Sequence, residues 1–287
     1  MTATRDALLL VGHGSRSEAS DAEMHTLYRM VAAALPQVDV ALGFLEMSDP
    51  PAGPVIDELV AAGATRVVVL PLVLFGAGHS KSDVPAVVVE ARARHEGIDI
   101  RFGSPFGLSR PLVSVLGHSL ELSGAAEWPL LVVARGTSDP DANGDAAKAG
   151  RLLAEWNRSP FHLVAFTGVT GPAVPEALEM MAALGHRRLT VAFWFLCTGR
   201  LVERARRQLE EFAGPRGVDI IDAGYFGPRP ELVPIVLERY RDALEGRPVV
   251  NCDICAYRAA WPGLADRVGQ PVGVGHSHLA EEHRHSH

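Results

Sequence analysis

The chain has 287 residues, 47% of them hydrophobic and 21% charged, with a net charge of −7 and three cysteines. That length accommodates two domains with cores of their own, and the composition is that of an ordinary globular protein. The negative charge argues against nucleic acid or an anionic membrane surface as the main partner. No apolar run is long enough to span a bilayer, and three cysteines make no disulfide framework, so a reducing, cytoplasmic setting is expected. The opening MTATRDALLLVGHGS reads without a signal peptide, because its apolar stretch leads directly into the first motif.

In chain order, apolar runs alternate with helix-period segments. Strands are expected over 6–12, 38–45, 66–74 and 98–103, with helices over 20–35, 52–62, 82–96 and 109–122. The pattern then recurs: strands over 129–134, 161–167, 188–196 and 217–223, helices over 142–157, 174–184, 199–213 and 230–245. Ser20-Asp21 and Ser80 to Asp83 read as helix starts, and Gly63, Gly97, Gly185 and Gly214 as stops. The strands are unbroken Val/Leu runs, as helices on both sheet faces require. The expected fold is α/β: two tandem flavodoxin-like domains, each a four-stranded parallel sheet flanked by helices, with a cleft between them. Residues 1–125 are expected to form the domain carrying a metal site, 126–247 its repeat, and 248–287 a tail.

A shift of 122 residues lays one half over the other. LLLVGHGS at Leu8–Ser15 falls on LLVVARGT at Leu130–Thr137, and VIDELVAAGATRVVVL at Val55–Leu70 on ALEMMAALGHRRLTVA at Ala177–Ala192. One residue then drops out, and the whole reads as a duplication. Within the first copy, His13, Glu46 and His79 stand 33 residues apart, each just past an apolar run. That interval is about one strand plus one crossover helix. In a parallel sheet such residues gather at one edge, where open α/β folds bind ligands. Two imidazoles and a carboxylate there make a metal-ligand or proton-transfer set. The second copy has lost all three: His13 falls on Arg135, Glu46 on Gly168 and His79 on Arg200. A scaffold role would be needed twice; a chemical role is needed once. Arginine, with its bidentate fork, suits carboxylate recognition.

VGHGSR at Val11–Arg16, FLE at Phe44–Glu46 and PLVLFGAGHSKSDVP at Pro71–Pro85 resemble the class II chelatases of tetrapyrrole biosynthesis, specifically the two-domain sirohydrochlorin type. FLCTGRLVERA at Phe195–Ala205 and NCDICAYR at Asn251–Arg258 resemble its long cobaltochelatase form, so the likeness covers residues 7 to 258. The resemblance implies ATP-independent insertion of a divalent metal, Co2+ first and Fe2+ or Ni2+ as alternatives, into sirohydrochlorin. It implies metal-binding and catalytic roles for His13, His79 and Glu46. No Walker-type GK[ST] loop occurs, consistent with a reaction that uses no ATP. Arg135 and Arg200 are expected to contact the substrate carboxylates, with Ser15, Arg16, Ser80 and Lys81 as further rim candidates.

Plainer roles apply elsewhere. Glu46 also fits as a cap for the helix near Pro51. His25, His95, His118, His162 and His186 read as surface or helix-face residues, and Cys197 as core packing. Cys252-x-x-Cys255 has a metal or redox spacing, with an iron–sulfur cluster, zinc or neither left open. His276, His278, His283, His285 and His287 make a metal-gathering end. A rival function is a non-catalytic metallochaperone; a histidine phosphatase is disfavoured because Gly12, not arginine, precedes His13. The expected assembly is a monomer or homodimer.

Overall fold

A computed structural model of the chain describes residues 4–247, together with Asp266 and Val268. Strand and helix alternate through β1 (Asp6–Gly12), α1 (Glu18–Ala34), β2 (Asp39–Phe44), α2 (Ala52–Ala61), β3 (Arg66–Pro71), α3 (Val84–Arg94), β4 (Asp99–Phe102) and α4 (Arg110–Leu122). The second copy supplies β5 (Leu130–Ala134), α5 (Pro140–Asn157), β6 (His162–Phe166), α6 (Val174–Ala183), β7 (Arg188–Phe193), α7 (Arg200–Arg216), β8 (Asp219–Asp222) and α8 (Val233–Leu244). A π-helical turn, His79–Asp83, precedes α3.

The two sheets have the order β2-β1-β3-β4 and β6-β5-β7-β8, with every pairing parallel. β1 is therefore central in its sheet: Leu9 lies beside Ala41 on one side and Val69 on the other. Strand periodicity divides its side chains. Leu8 and Leu10 face a core shared by both sheets, while Ala7, Leu9 and Val11 face a second core that includes Val55 and Ile56 of α2 and Val88 of α3. Leu130 and Val132 join the shared core from the other copy, and Leu131 and Val133 face away from it.

Three expectations shift. α1 starts at Glu18, after Ser17, rather than at Ser20-Asp21. α7 runs through Gly214 and Pro215, and its stop is Gly217, which takes the left-handed conformation (φ 59°) that closes a helix. β3 and β7 end three residues before their apolar runs do. Beyond the strands, Leu72, Leu74, Trp194 and Leu196 enter the shared core, where Phe75 stacks on Trp194 with ring centroids 5.3 Å apart, while Phe195 packs on the core of the second copy.

Each copy also lends its last helix to the other. α4 packs on α5 and β7, whereas α8 packs on α1, β3 and β4. A Cβ on Gly117 of α4 would stand 2.5 Å from the Trp156 ring of α5, so glycine permits that close approach. Arg101 of β4 donates to the Ala243 carbonyl (3.2 Å) at the end of α8, which also accepts from Gly246 N (3.2 Å). No helix among the described residues is long and apolar enough to cross a membrane.

Candidate functional site

Because β1 lies between β2 and β3, the loops after these three strands emerge side by side. β1 delivers His13, β2 delivers Glu46, and the β3 loop leads to the π-helical turn that starts at His79. Backbone bonds knit them together. Leu45 N donates to Gly12 O (3.0 Å), Glu46 N to His13 O (3.1 Å) and Leu72 N to Val11 O (2.8 Å). Gly14 makes the approach feasible: its φ is +92°, and a Cβ there would sit 1.7 Å from the Glu46 carbonyl oxygen.

His13 Nδ1 lies 3.3 Å from Glu46 Oε1 and 3.2 Å from the Gly14 carbonyl, with the two side chains 18% and 28% exposed. A proton on Nδ1 faces those two acceptors and leaves the ring lone pair on Nε2. Metal-binding imidazoles are oriented in this way, by a carboxylate or carbonyl behind the ring. Glu46 is not the cap of α2, which begins after Pro51 with no side-chain cap. The side chain of His79 lies outside the described atoms. Among the described residues no three His, Cys, Asp or Glu side chains form a ready-made metal cage.

The second copy keeps the loop and changes its contents. Gly136 (φ +78°) repeats Gly14, with a would-be Cβ 2.2 Å from the Gly168 carbonyl. Met47 and Val169 both have positive φ, 60° and 68°, and both are exposed. The backbone of this turn is thus conserved between copies where the ligands are not. Arg135 follows β5 and retains open surface although protein crowds its guanidinium. That desolvation lowers its pKa, and the nearby Glu46 carboxylate raises it. Arg200, exposed, opens α7 after Gly199, whose would-be Cβ is 3.9 Å from Ser17 and Ser20 of the first copy.

Of the rim candidates, Arg16 is exposed, but Ser15 accepts from the Ser17 N–H (3.0 Å) and shapes its own turn. Ser80 and Lys81 are not on the rim. Ser80 is buried and bonds Ala77 (3.0 and 3.1 Å), and Lys81 is buried against Asp139 and Asp141. A short sequence distance to His79 carried no information on which way these side chains turn. The Cys197 thiol is pushed up to about 12 by burial, in keeping with packing. His95 pairs with Asp57 at 2.6 Å, away from the strand ends. Cys252, Cys255, His276, His278, His283, His285 and His287 lie outside the described residues.

Sequence reasoning missed the polar contacts that join the lobes. Glu23 of α1 accepts from Thr198 N (2.7 Å) and Tyr225 Oη (2.5 Å), and Asp139 and Asp141 meet Lys81. The signal was present in the repeat, since Asp139 and Asp141 fall on Ser17 and Ala19 of the first copy.

A family model described as CbiX matches residues 7–122 and again residues 129–243. A sirohydrochlorin cobaltochelatase from Priestia megaterium is 36% identical over 262 residues, 88% of this chain and 84% of the relative. A sirohydrochlorin ferrochelatase from Bacillus subtilis is 25% identical over 240 residues, 83% of this chain and 92% of the relative. Among solved structures, SirB from Bacillus subtilis with Fe3+ superposes with a TM-score of 0.75 at 25% identity, covering 85% of this chain and 98% of that one.

Proposed function

We propose a function from one premise: the chain belongs to the CbiX family, the class II chelatases, with two copies of the family unit. It is a chelatase, a lyase that inserts a divalent metal ion into sirohydrochlorin. The ion is the second substrate, and we assign Co2+, the metal in the name of the 36% identical relative, with Fe2+ or Ni2+ as the alternatives. The reaction runs without ATP, as a monomer or homodimer in the cytoplasm.

Insertion requires that the ion shed water, meet the ring and displace two pyrrole N–H protons. His13 and His79 hold the ion through the free nitrogen of a neutral imidazole, and once the ion passes to the ring that nitrogen is open to take one of the two displaced protons near neutral pH. Glu46 supports the His13 ring from 3.3 Å, balances the charge and passes protons to solvent. Few protein ligands are an advantage, since a closed shell would not release the ion to the ring. Arg135 and Arg200, from the second lobe, engage the peripheral carboxylates of the macrocycle. The observation that carries this assignment is the His13–Glu46 pair, 3.3 Å apart at a parallel-sheet edge.

The test is an insertion assay on sirohydrochlorin with Co2+, Fe2+ and Ni2+ in parallel, followed by the visible spectrum. His13→Ala and His79→Ala are each expected to abolish insertion while leaving the circular dichroism unchanged. Near-wild-type rates in both variants would overturn the assignment. An unchanged sirohydrochlorin spectrum with every metal would instead favour a chaperone.

A further inference from the structure

Lys81 is buried where a charge is expensive. Its side chain is 3% exposed, with Nζ 2.8 Å from Asp139 Oδ2 and 2.9 Å from Asp141 Oδ2, carboxylates only 6% and 2% exposed. Asp139 Oδ2 has no hydrogen bond beyond that ion-pair contact. Taking such charges out of water offsets most of their mutual attraction, and apolar residues of similar volume stabilise a fold at least as well. Stability alone is a poor reason to keep this triad. Its location suggests another.

Lys81 is the third residue of the π-helical turn that begins at His79, and Asp139 and Asp141 open α5 in the other copy. Both ends of the contact are stiff. Asp139 Oδ1 accepts from Asp141 N (3.0 Å), fixing the acids to the helix start. Lys81 N donates to Ala77 O (2.9 Å), so a pull on the Lys81 ammonium is transmitted to the backbone of the turn. π-helical insertions of this kind recur at functional sites. The repeat adds an independent observation: Lys81 falls on Val202, and the two acids on Ser17 and Ala19. The triad exists once, with its lysine on the copy that carries His79 and its acids on the other.

We propose that Lys81, Asp139 and Asp141 form an inter-lobe strut that positions His79 for the incoming metal ion. They are positioning residues, and the proposal rests on the assignment of His79 as a ligand given above. The second lobe then serves the metal step as well as the macrocycle.

The test uses the full chain and Co2+ alone, read from the visible d–d band of the ion. The signal of the site is the part lost in a His13→Ala/His79→Ala double variant, which removes any contribution from the cysteines and the histidine-rich end. Lys81→Met/Asp139→Asn/Asp141→Asn removes all three charges together and keeps a competent helix cap at 139. Asp141→Asn alone, which keeps one carboxylate on Lys81, is the milder variant should the first fail to fold. The expected result is a loss of about 10–100-fold in Co2+ affinity and in kcat, with metal-free sirohydrochlorin affinity changed by less than about twofold. A folded variant with wild-type Co2+ affinity and kcat overturns the strut, as does an equal loss of affinity for Co2+ and sirohydrochlorin, which marks general loosening. If wild type and the double variant bind Co2+ alike, the His79 assignment itself fails and takes the strut with it.

Discussion

Replacing Gly14 by alanine separates the chemistry of the first copy from the architecture that both copies share. Its φ of +92° is strained for any residue with a Cβ, and the added carbon would lie 1.7 Å from the Glu46 carbonyl oxygen. Ordinary contact begins at 3.4 Å, so the His13 and Glu46 loops must part by about 1.7 Å. The backbone strain costs about 1–3 kcal/mol. A melting temperature responds by about 2–4 °C per kcal/mol in a chain approaching this size. Gly136→Ala meets the same geometry in the second copy, 2.2 Å from the Gly168 carbonyl at φ +78°, so its required displacement is about 1.2 Å. The two variants should therefore lose comparable stability in a thermal scan. They should diverge in the insertion assay. A misplacement near 1 Å between reacting groups costs about a hundredfold in rate, so Gly14→Ala should lose about that much in kcat while Gly136→Ala stays within about tenfold of wild type. Equal catalytic losses in both variants, or a Gly14→Ala protein with wild-type rate and melting temperature, would refute the reasoning.

Arg135→Ala should raise KM for sirohydrochlorin by about tenfold or more with a smaller change in kcat, because it removes carboxylate binding shared by ground and transition states; Arg135→Lys should recover only part, which steady-state kinetics will show. Cys197 should resist iodoacetamide at pH 8 in the native protein and react after denaturation, as read by mass mapping of its peptide. Its folded-state pKa is raised from 9.0 to about 12, so between those values the native thiol keeps a proton that the unfolded chain has lost. Stability should then fall as pH rises from 9 toward 12, and Cys197→Ala should flatten that slope in denaturant titrations. Gly117→Ala should cost about 1–3 kcal/mol by driving a methyl into the Trp156 ring. Gly144→Ala, in α5 with nothing within 4 Å of the added carbon, should gain about 0.4–1 kcal/mol in the same thermal scan.

What the chain alone determined was periodic or local. Runs such as Leu8 to Val11 and Val67 to Leu70 are continuous because parallel strands are covered on both faces, and the 122-residue shift exposed the duplication. Strand-end position and the loss of His13, Glu46 and His79 in the second copy single out those three residues from the chain alone, and the structure adds that His13 and Glu46 lie in contact. Tertiary structure alone decided the rest. The order β2-β1-β3-β4 brings the His13 and Glu46 loops to one edge, and no local pattern encodes strand order. The exchange of α4 and α8 between sheets is equally silent in sequence, since an amphipathic helix does not specify which sheet it covers. Lys81 is the sharpest case. Two residues after His79 in the HSKSD stretch it reads as a rim contact for substrate carboxylates, but its partners lie 58 and 60 residues further on, in the other copy. Burial of a charge is set by what folds against it, and that is a property of the assembled molecule.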